Sequence, residues 1–288
     1  MKITPLVANT FASDGGAMFG LVPKMLWQKK VTPDDSNCIA QRANVLLIET
    51  ENKVGLVDTG CGNPDWYSDR ERTHHQLEES WLLPTSLKQA GKTFEDIDFI
   101  LLSHAHWDHA GGLLTPEETP VFPNAEIFLR SKEAECVTGG DPLLYKSYPK
   151  NIQRTFEVLG DRIFSVPDDE PEILDGIYLL PAPGHTEGQA GIFFREPTLA
   201  GTDQQITSAL FAGDNCPTQH HLRMVFQTAY DTYPLKTRAW KREWLPRIAK
   251  DESLLLFTHD ADAFGVWIEA DERKEFVVTD TYLGKLKS

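Results

Sequence analysis

The chain has 288 residues, of which 41% are hydrophobic and 25% are charged, the composition of a globular protein that can bury a full core. Its 43 acidic and 28 basic residues give a formal net charge of −15. This charge argues against nucleic acid and anionic membranes as partners, because both bind clustered Lys and Arg. The chain starts without the apolar core of a signal peptide, and no window is apolar enough for a membrane span. The cysteines form no CxxC pair, so we expect reduced thiols in a cytoplasmic protein, at Cys38, Cys61, Cys136 and Cys216.

Apolar runs bounded by turn residues predict the strands in chain order. Residues 43–50 and 53–58 predict two strands across a short turn, and residues 69–91 predict a helix interrupted near Pro84. His74 and His75 lie in this charged stretch, and we expect them to be solvated. The remaining strands are predicted at 97–102, 125–130, 178–181, 190–194, 209–212 and 254–258, with helices at 131–160 and 234–250. Strands interleaved with helices indicate a layered α/β domain.

Metal-binding side chains follow one of these strands directly. Residues 103–109 read Ser-His-Ala-His-Trp-Asp-His, which places three imidazoles and one carboxylate within six residues. Imidazole and carboxylate groups bind divalent transition metals at neutral pH. The alternative is a solvated, His-rich turn, which needs no such set of ligands. Other candidate ligands also come just after apolar strands, at Asp58, His185, Asp214 and His259.

Each of these four residues has a plain explanation when taken alone. A single His after a strand is more often a surface or packed residue than a ligand, and Gly-Asp is usually a turn. Taken together and in this order, they favour one site, because strand ends gather distant residues along one edge of the sheets.

The order of these motifs resembles the metallo-β-lactamase superfamily. The elements that carry the resemblance are His-Ala-His-Trp-Asp-His, then Pro-Gly-His-Thr-Glu-Gly, Ala-Gly-Asp and Thr-His, with Asp58-Thr59-Gly60 as an early Asp-Thr-Gly element. The resemblance runs from about residue 44 to residue 260. It implies a four-layer αββα sandwich, with residues 1–288 as a single domain and a dinuclear metal site at one edge of the sheets.

The resemblance also assigns the ligands. It places one metal on His104, His106 and His185, and the second on Asp108, His109 and His259, with Asp214 bridging both. Asp58 would accept a hydrogen bond from a ligand imidazole and fix its tautomer; the alternative is a plain turn cap. We expect zinc, with iron, manganese or cobalt as alternatives for such a mixed set of nitrogen and oxygen ligands.

Two metals imply a hydrolase in which a metal-bridging hydroxide attacks the substrate. Asp108 and Asp214 are the expected catalytic residues, and Asp108 would accept the proton of the nucleophile and pass it to the leaving group. A non-catalytic metal-binding module is the alternative from another class. It is disfavoured because all seven ligand positions are present.

The N-terminal segment, residues 10–40, suggests a substrate. It is glycine-rich and then strongly apolar, and Met18, Phe19 and Trp27 could line an apolar groove next to the active site. The alternative is a strand packed on the core. This segment and residues 229–235 resemble quorum-quenching N-acyl-homoserine lactonases and related organophosphate hydrolases. We therefore expect a small-molecule lactone substrate, with phosphotriester or aryl-ester hydrolysis as the alternative activity.

One departure from these lactonases concerns a substrate contact. Some of them carry a tyrosine shortly after the bridging aspartate, whereas residues 215–221 contain none. Tyr230, His220 or His221 would have to take this place by folding back, although a packed or solvated role is more common for a histidine. A homodimer is left open, since the N-terminal segment could instead cover the site of a partner subunit.

Overall fold

The computed structural model of the chain describes residues 1–139, 146–202 and 204–284. In chain order the strands are β1 (Lys2–Asp14), β2 (Cys38–Glu49), β3 (Val54–Val57), β4 (Phe99–Leu101), β5 (Glu126–Arg130), β6 (Ile163–Val166), β7 (Glu172–Leu174), β8 (Ile177–Pro181), β9 (Ala190–Arg195), β10 (Thr198–Leu199), β11 (Gln204–Gln205), β12 (Ser208–Phe211), β13 (Leu254–Leu256), β14 (Gly265–Asp271) and β15 (Glu275–Tyr282). The α-helices are α1 (Gly15–Phe19), α2 (Lys24–Trp27), α3 (Asp69–His75), α4 (Leu83–Gln89), α5 (Trp107–Ala110), α6 (Ser131–Gly139), α7 (Ile152–Leu159) and α8 (Pro234–Lys250).

The strands form two sheets. The first has the order β11-β10-β1-β2-β3-β4-β5-β6, and the second has the order β15-β14-β13-β12-β9-β8-β7. Strands β3 to β6 run parallel to one another, as do β12 and β13. Parallel neighbours bring their carboxyl ends to the same edge of a sheet. The loops that follow β3, β4, β12 and β13 can therefore meet where the two sheets face each other.

Three apolar clusters show four layers. Leu83 and Leu87 of α4 pack with Leu47 and Ile100 on the outer face of the first sheet. A second cluster lies between the sheets and includes Ile48, Phe99, Ile192 and Phe211. A third cluster packs α8 on the outer face of the second sheet through Trp240, Leu245 and Ile248. The predicted α/β fold, with two sheets between outer helices, is confirmed.

One glycine is needed for the inner layer. Gly55 of β3 lies opposite Phe99 of β4 in the parallel ladder. A Cβ atom at Gly55 would overlap the ring of Phe99, which crosses over this position. The ring is 1% exposed and lies between the two sheets. Close packing of this kind leaves no room for even one methyl group.

Among the described residues, the structure contains seven strands that the sequence analysis did not predict, namely β1, β6, β7, β10, β11, β14 and β15. In β1, Thr4 and Asn9 are buried, so the strand lacks the clear alternation of polar and apolar residues that predicts a half-buried strand. The stretch 69–91 contains two separate helices, α3 and α4. Part of the predicted helical stretch 131–160, residues 140–145, lies outside the described residues. Within the described part of the chain, no helix is long and apolar enough to cross a membrane.

Candidate metal centre

The seven predicted metal ligands come from four strand ends and meet at one edge of the two sheets. His104 and His106 follow β4, and Asp108 and His109 lie in the short helix α5. The second sheet contributes the ligands that follow β8, β12 and β13, which are His185, Asp214 and His259. Ligand atoms lie within 4.8 Å of one another in each of three groups, which are His104 with His106 and His185, His104 with His109 and Asp214, and Asp108 with His109 and His259.

Asp214 lies between the first and the third group. Its Oδ1 is 3.5 Å from Nε2 of His109. Its Oδ2 is 3.4 Å from Nε2 of His185 and 3.2 Å from Nε2 of His259. Nε2 of His259 also lies 3.5 Å from Oδ2 of Asp108. The carboxylate of Asp214 is therefore close to histidines of both groups, and its role as a bridging ligand stays a prediction.

The outward nitrogens of four imidazoles are hydrogen-bonded by the protein. His109 Nδ1 donates to Oδ2 of Asp58 (2.8 Å), and His185 Nδ1 donates to Oδ1 of Asp231 (3.1 Å). His259 Nδ1 donates to the carbonyl oxygen of Arg42 (2.9 Å), and His104 Nδ1 lies 3.1 Å from the hydroxyl of Ser103. Each partner holds its ring so that Nε2 faces the centre, an arrangement typical of metal-binding histidines.

The donor set fits a metal. Nε2 of His104 and Nε2 of His109 are buried without a hydrogen-bond partner within the described residues, although buried polar atoms are nearly always paired. Burial holds the pKa values of His104 and His106 well below the ordinary value for histidine. Their rings are therefore neutral, which is the form that binds metal ions. The unpaired Nε2 atoms of His104 and His109, together with the nearby carboxylates of Asp108 and Asp214, are the donors that a pair of divalent cations would use.

Asp58 ties the ends of two neighbouring strands together. Its backbone φ of 58° lies in the left-handed region, which Asp tolerates better than most residues. Its Oδ1 accepts a hydrogen bond from the amide of Ser103 (2.7 Å), and its Oδ2 accepts from the hydroxyl of Ser103 (2.7 Å) and from His109. The predicted role behind a ligand imidazole thus agrees with the geometry, whereas a plain turn cap would not contact His109.

A cavity of about 420 Å³ opens over the ligands, within the size range of small-molecule sites. Asp108, His106, His185, Asp214 and His259 line its floor. Its walls mix apolar and polar side chains and include Phe11, Met18, Cys38, Gln41, His74, His75, Gln76, Trp107 and Tyr230. The N-terminal segment is therefore next to the metal centre, as its composition suggested.

The predicted substrate contacts divide into two sets. Met18 and Tyr230 line the cavity, and Tyr230 is 48% exposed. Phe19, Trp27 and His221 are 0–1% exposed and lie behind the cavity wall rather than on it. Phe19 stacks on both of the others, with ring centroids 5.3 Å from Trp27 and 5.1 Å from His221. These three side chains support the loop that presents Met18, because apolar and aromatic surface is most stable away from water.

His221 is unsuited to contact a substrate for a second reason. Its Nε2 donates to the carbonyl oxygen of Met18 (2.8 Å), and its Nδ1 lies 2.8 Å from the hydroxyl of Thr218. Both ring nitrogens are therefore occupied. Burial lowers the pKa of His221 to about 3, so the ring is neutral. Of the three residues proposed to replace the missing tyrosine, Tyr230 lines the cavity, whereas His220 and His221 do not.

The family model of the metallo-beta-lactamase superfamily matches residues 40–259 of the chain. This span contains all seven ligands together with Asp58 and Asp231. The chain belongs to the metallo-beta-lactamase superfamily. The family predicted from the order of the His and Asp motifs is confirmed.

Known proteins similar to this superfamily member are named hydrolases or lactonases, the class predicted for this chain. An N-acyl homoserine lactonase from Bacillus sp. is 27% identical over 182 residues, which are 58% of this chain and 66% of the relative. The chain spans about half to two thirds of the length of the first curated relatives that it matches.

Among solved structures, a probable metal-dependent hydrolase from Staphylococcus aureus superposes with a TM-score of 0.85 at 26% identity, covering 98% of this chain and 96% of that one. The dizinc quorum-quenching lactonase AidC has a TM-score of 0.77 at 19% identity, covering 96% and 94%. At this identity, the similarity to AidC shows a shared fold alone.

Three residues of this metallo-beta-lactamase site were missed by sequence reasoning. Asp231 lies in a polar loop whose sequence is typical of a turn. Glu133 is fully buried beneath the ligand loops, and burial raises its pKa, but its sequence context is that of an ordinary helix. His75 was expected to be solvated, whereas its ring stacks on Trp107 with a centroid distance of 4.0 Å and lines the cavity. The only sequence signal for this stacking is that His75 lies in a predicted helix and that Trp107 is an aromatic residue within the His-Asp motif.

Proposed function

We propose that the protein is a dinuclear metal-dependent hydrolase that opens a lactone ring, with an N-acyl-homoserine lactone as the substrate class. The observation that carries the proposal is the convergence of seven His and Asp side chains at one edge of the two sheets, five of which line the floor of an open cavity. Asp214 lies within 3.5 Å of histidines from both groups. The similarity to proteins named N-acyl homoserine lactonase supports the choice of substrate.

The ligands would hold two divalent ions, with zinc as the first choice. His104, His106 and His185 would hold one ion, Asp108, His109 and His259 the other, and Asp214 both. When bound, such ions polarise the scissile carbonyl and lower the pKa of an attacking water. The anionic bridge of Asp214 offsets the repulsion between two neighbouring cations.

Asp108 is placed to move the proton. Its side chain is 14% exposed, against 2–9% for its neighbours His109, His259 and Asp214, and it lines the cavity. We propose that one carboxylate oxygen accepts the proton released by the attacking water and delivers it to the alkoxide that leaves when the ring opens. This transfer needs a base that reaches both the floor of the cavity and the substrate.

Tyr230 is proposed to orient the substrate. Burial, with a smaller contribution from Asp108, raises the pKa of Tyr230, so its hydroxyl stays protonated at neutral pH and can donate a hydrogen bond to a carbonyl oxygen. Met18 and Phe11 supply apolar surface on the cavity wall. A substrate with a small polar ring and an acyl group would fit a cavity wall that has both polar and apolar side chains.

The test is a substrate panel on protein with two equivalents of zinc, comparing acyl-homoserine lactones of several lengths, an aryl ester and paraoxon. We expect lactone turnover with a preference among chain lengths. Flat lactone activity together with fast paraoxon turnover would replace the lactonase proposal with a phosphotriesterase. No turnover of any substrate with two metals bound would overturn the hydrolase itself.

Variants test the ligand assignment. His106→Ala and Asp214→Ala are each expected to lose most activity and at least one equivalent of metal. Tyr230→Phe is expected to retain both metals and to lose activity, because only the substrate contact is removed. Full activity and full metal content in either ligand variant would contradict the assignment.

A further inference from the structure

A buried carboxylate lies directly beneath the first group of ligands. Glu133, in the first turn of α6, is 0% exposed. Its Oε1 accepts hydrogen bonds from the backbone amide of Ala105 (2.9 Å) and the hydroxyl of Tyr148 (3.1 Å). Its Oε2 accepts from the hydroxyl of Thr186 (2.6 Å). The three donors are neutral groups, so this carboxylate is held by hydrogen bonds and forms no ion pair within the described residues.

The partners of Glu133 belong to both loops that carry the first group. Ala105 is the residue between His104 and His106, and Thr186 directly follows His185. The two carboxylate oxygens of Glu133 therefore join the loop after β4 to the loop after β8. These loops belong to different sheets, so no shared strand fixes the distance between them.

The hydrogen bonds of Glu133 matter more for the position of the His106 ring than for the positions of the other four imidazoles. Within the described residues, its ring has no hydrogen bond to an outward partner of the kind that Asp58, Asp231, Ser103 and the Arg42 carbonyl provide to the other four. Its ring instead packs edge-on against Tyr148, with a centroid distance of 5.0 Å and an interplanar angle of 74°. Tyr148 is itself one of the donors to Glu133, so the carboxylate also fixes the ring that supports His106.

The loop after β8 is seated directly on the backbone of Glu133. A Cβ atom at Gly188 would overlap the backbone of Glu133, so the loop approaches closely because residue 188 is glycine. This contact places Thr186 within reach of the carboxylate. A carboxylate in such a place is costly to bury, and an apolar side chain would fill the space without that cost. Its polar contacts to both ligand loops give a reason for its presence.

We propose that Glu133 is a positioning residue for the first metal group: its carboxylate sets the separation between the His104–His106 loop and His185, and thereby the affinity of that group for its metal. The inference rests on the proposed function, since it assumes that these three histidines bind a metal. It predicts a selective effect, because within the described residues neither Asp108 nor His259 of the second group forms a hydrogen bond or ion pair with Glu133 or its partners.

The experiment uses four single variants of the full chain and one double variant, which combines Thr186→Val with Glu133→Gln. Thr186→Val and Tyr148→Phe each remove one donor hydroxyl with little change of shape. Glu133→Gln keeps an acceptor for the Ala105 amide but loses the charge. Glu135→Gln is the matched control, because the same substitution on the same helix affects a side chain that is 65% exposed and, among the described residues, pairs only with Lys132.

The measurement is zinc stoichiometry and affinity by competition with a chromophoric chelator, together with urea unfolding of each metal-free protein. In Thr186→Val and Glu133→Gln we expect one of the two zinc equivalents to bind roughly 10- to 100-fold more weakly, the range typical of residues that orient ligands. The affinity of the other equivalent should not change. Glu135→Gln should bind both equivalents as the wild type does. The double variant should bind no more weakly than Glu133→Gln, because the hydroxyl of Thr186 acts through the carboxylate. If Glu133→Gln does not fold, Thr186→Val and Tyr148→Phe still decide the question.

Wild-type affinity for both equivalents in the folded variants would overturn the proposal, and so would equal weakening of both equivalents or simple additivity in the double variant. Failure of the proposed function looks different. In that case the wild-type chain itself would not bind two zinc ions, whatever the variants did.

Discussion

Replacement of Asp231 by alanine tests whether a buried carboxylate behind His185 holds this ligand in place. The side chain of Asp231 is 1% exposed. Its Oδ1 accepts hydrogen bonds from His185 Nδ1 (3.1 Å) and from the hydroxyl of Thr228 (2.8 Å). Asp231→Ala leaves both donors buried and unpaired and frees the His185 ring to turn. Asp231→Asn keeps an acceptor oxygen and removes only the charge.

The size of the effect follows from these contacts. A hydrogen bond to a charged group contributes about 1.5–3 kcal/mol, and loss of a partner that orients a metal ligand typically costs about 10- to 100-fold in affinity, which corresponds to about 1.4–2.7 kcal/mol. The two ranges agree. We therefore expect Asp231→Ala to weaken one zinc equivalent by roughly 10- to 100-fold, and Asp231→Asn to weaken it less.

The assay is zinc retention during dialysis against increasing chelator, measured by elemental analysis, with a urea titration to confirm that each variant is folded. Asp175→Ala serves as the control, because that carboxylate is 98% exposed and its only ion pair in the described part of the chain is with Arg195 on the surface, where ion pairs contribute little. Wild-type zinc retention in folded Asp231→Ala would refute the reasoning. Equal losses in the Asn and Ala variants would show that charge, and not the acceptor position, is what matters.

Three further predictions concern stability. Lys241→Met should lower the free energy of unfolding by about 2 kcal/mol, because the buried ammonium donates to the carbonyl oxygens of Arg223 (2.7 Å) and Phe226 (2.8 Å); an unchanged urea midpoint would contradict this. The pKa of His221 is lowered to about 3 in the folded state, so its contribution is complete above pH 6.5 and is lost as the pH falls towards 3. Between pH 7 and pH 5 the wild type should lose about 2 kcal/mol more than His221→Gln, and parallel pH profiles would disprove the assignment. Removal of metal by a chelator should lower the melting temperature in a way that added zinc reverses, since a ligand that binds only the folded state stabilises it; identical melting curves would contradict a metal centre.

The sequence indicated which residues meet at this edge because they lie in short motifs after apolar strands; their role as metal ligands stays a prediction. Four of them lie within residues 104–109, and His185, Asp214 and His259 each follow an apolar run that was predicted as a strand. The same pattern predicted Asp58. The layered α/β fold followed from interleaved strands and helices, although β1 did not, because Asn9 is buried within it to bond the loop after β3.

Residues that reach the site only because the fold brings them there could not be predicted from local sequence patterns. Asp231 and Glu133 reach the site from a loop and a helix whose local sequences carry no metal-binding pattern, and the partner of His259 is a backbone carbonyl, which any residue at position 42 would supply. Phe19 and Trp27 show the opposite limit. Their apolar character was correctly read, but composition does not tell whether an aromatic ring faces a cavity or the core behind it.

The metal centre lies across the joint between the two sheets, and this explains why its supporting residues are scattered. His109 and Asp58 belong to loops of the first sheet, whereas His259 follows a strand of the second sheet and is held by a carbonyl of β2 in the first. Backbone hydrogen bonds cross the same joint, from Asn44 to Thr258 (2.8 Å) and from Ala190 to Ser103 (2.7 Å). Ligand geometry and the packing of one sheet on the other are therefore set together. A change that shifts the sheets must move ligands of both groups, and for this reason the partners of the ligands are buried polar side chains and backbone atoms, whose positions the core already determines.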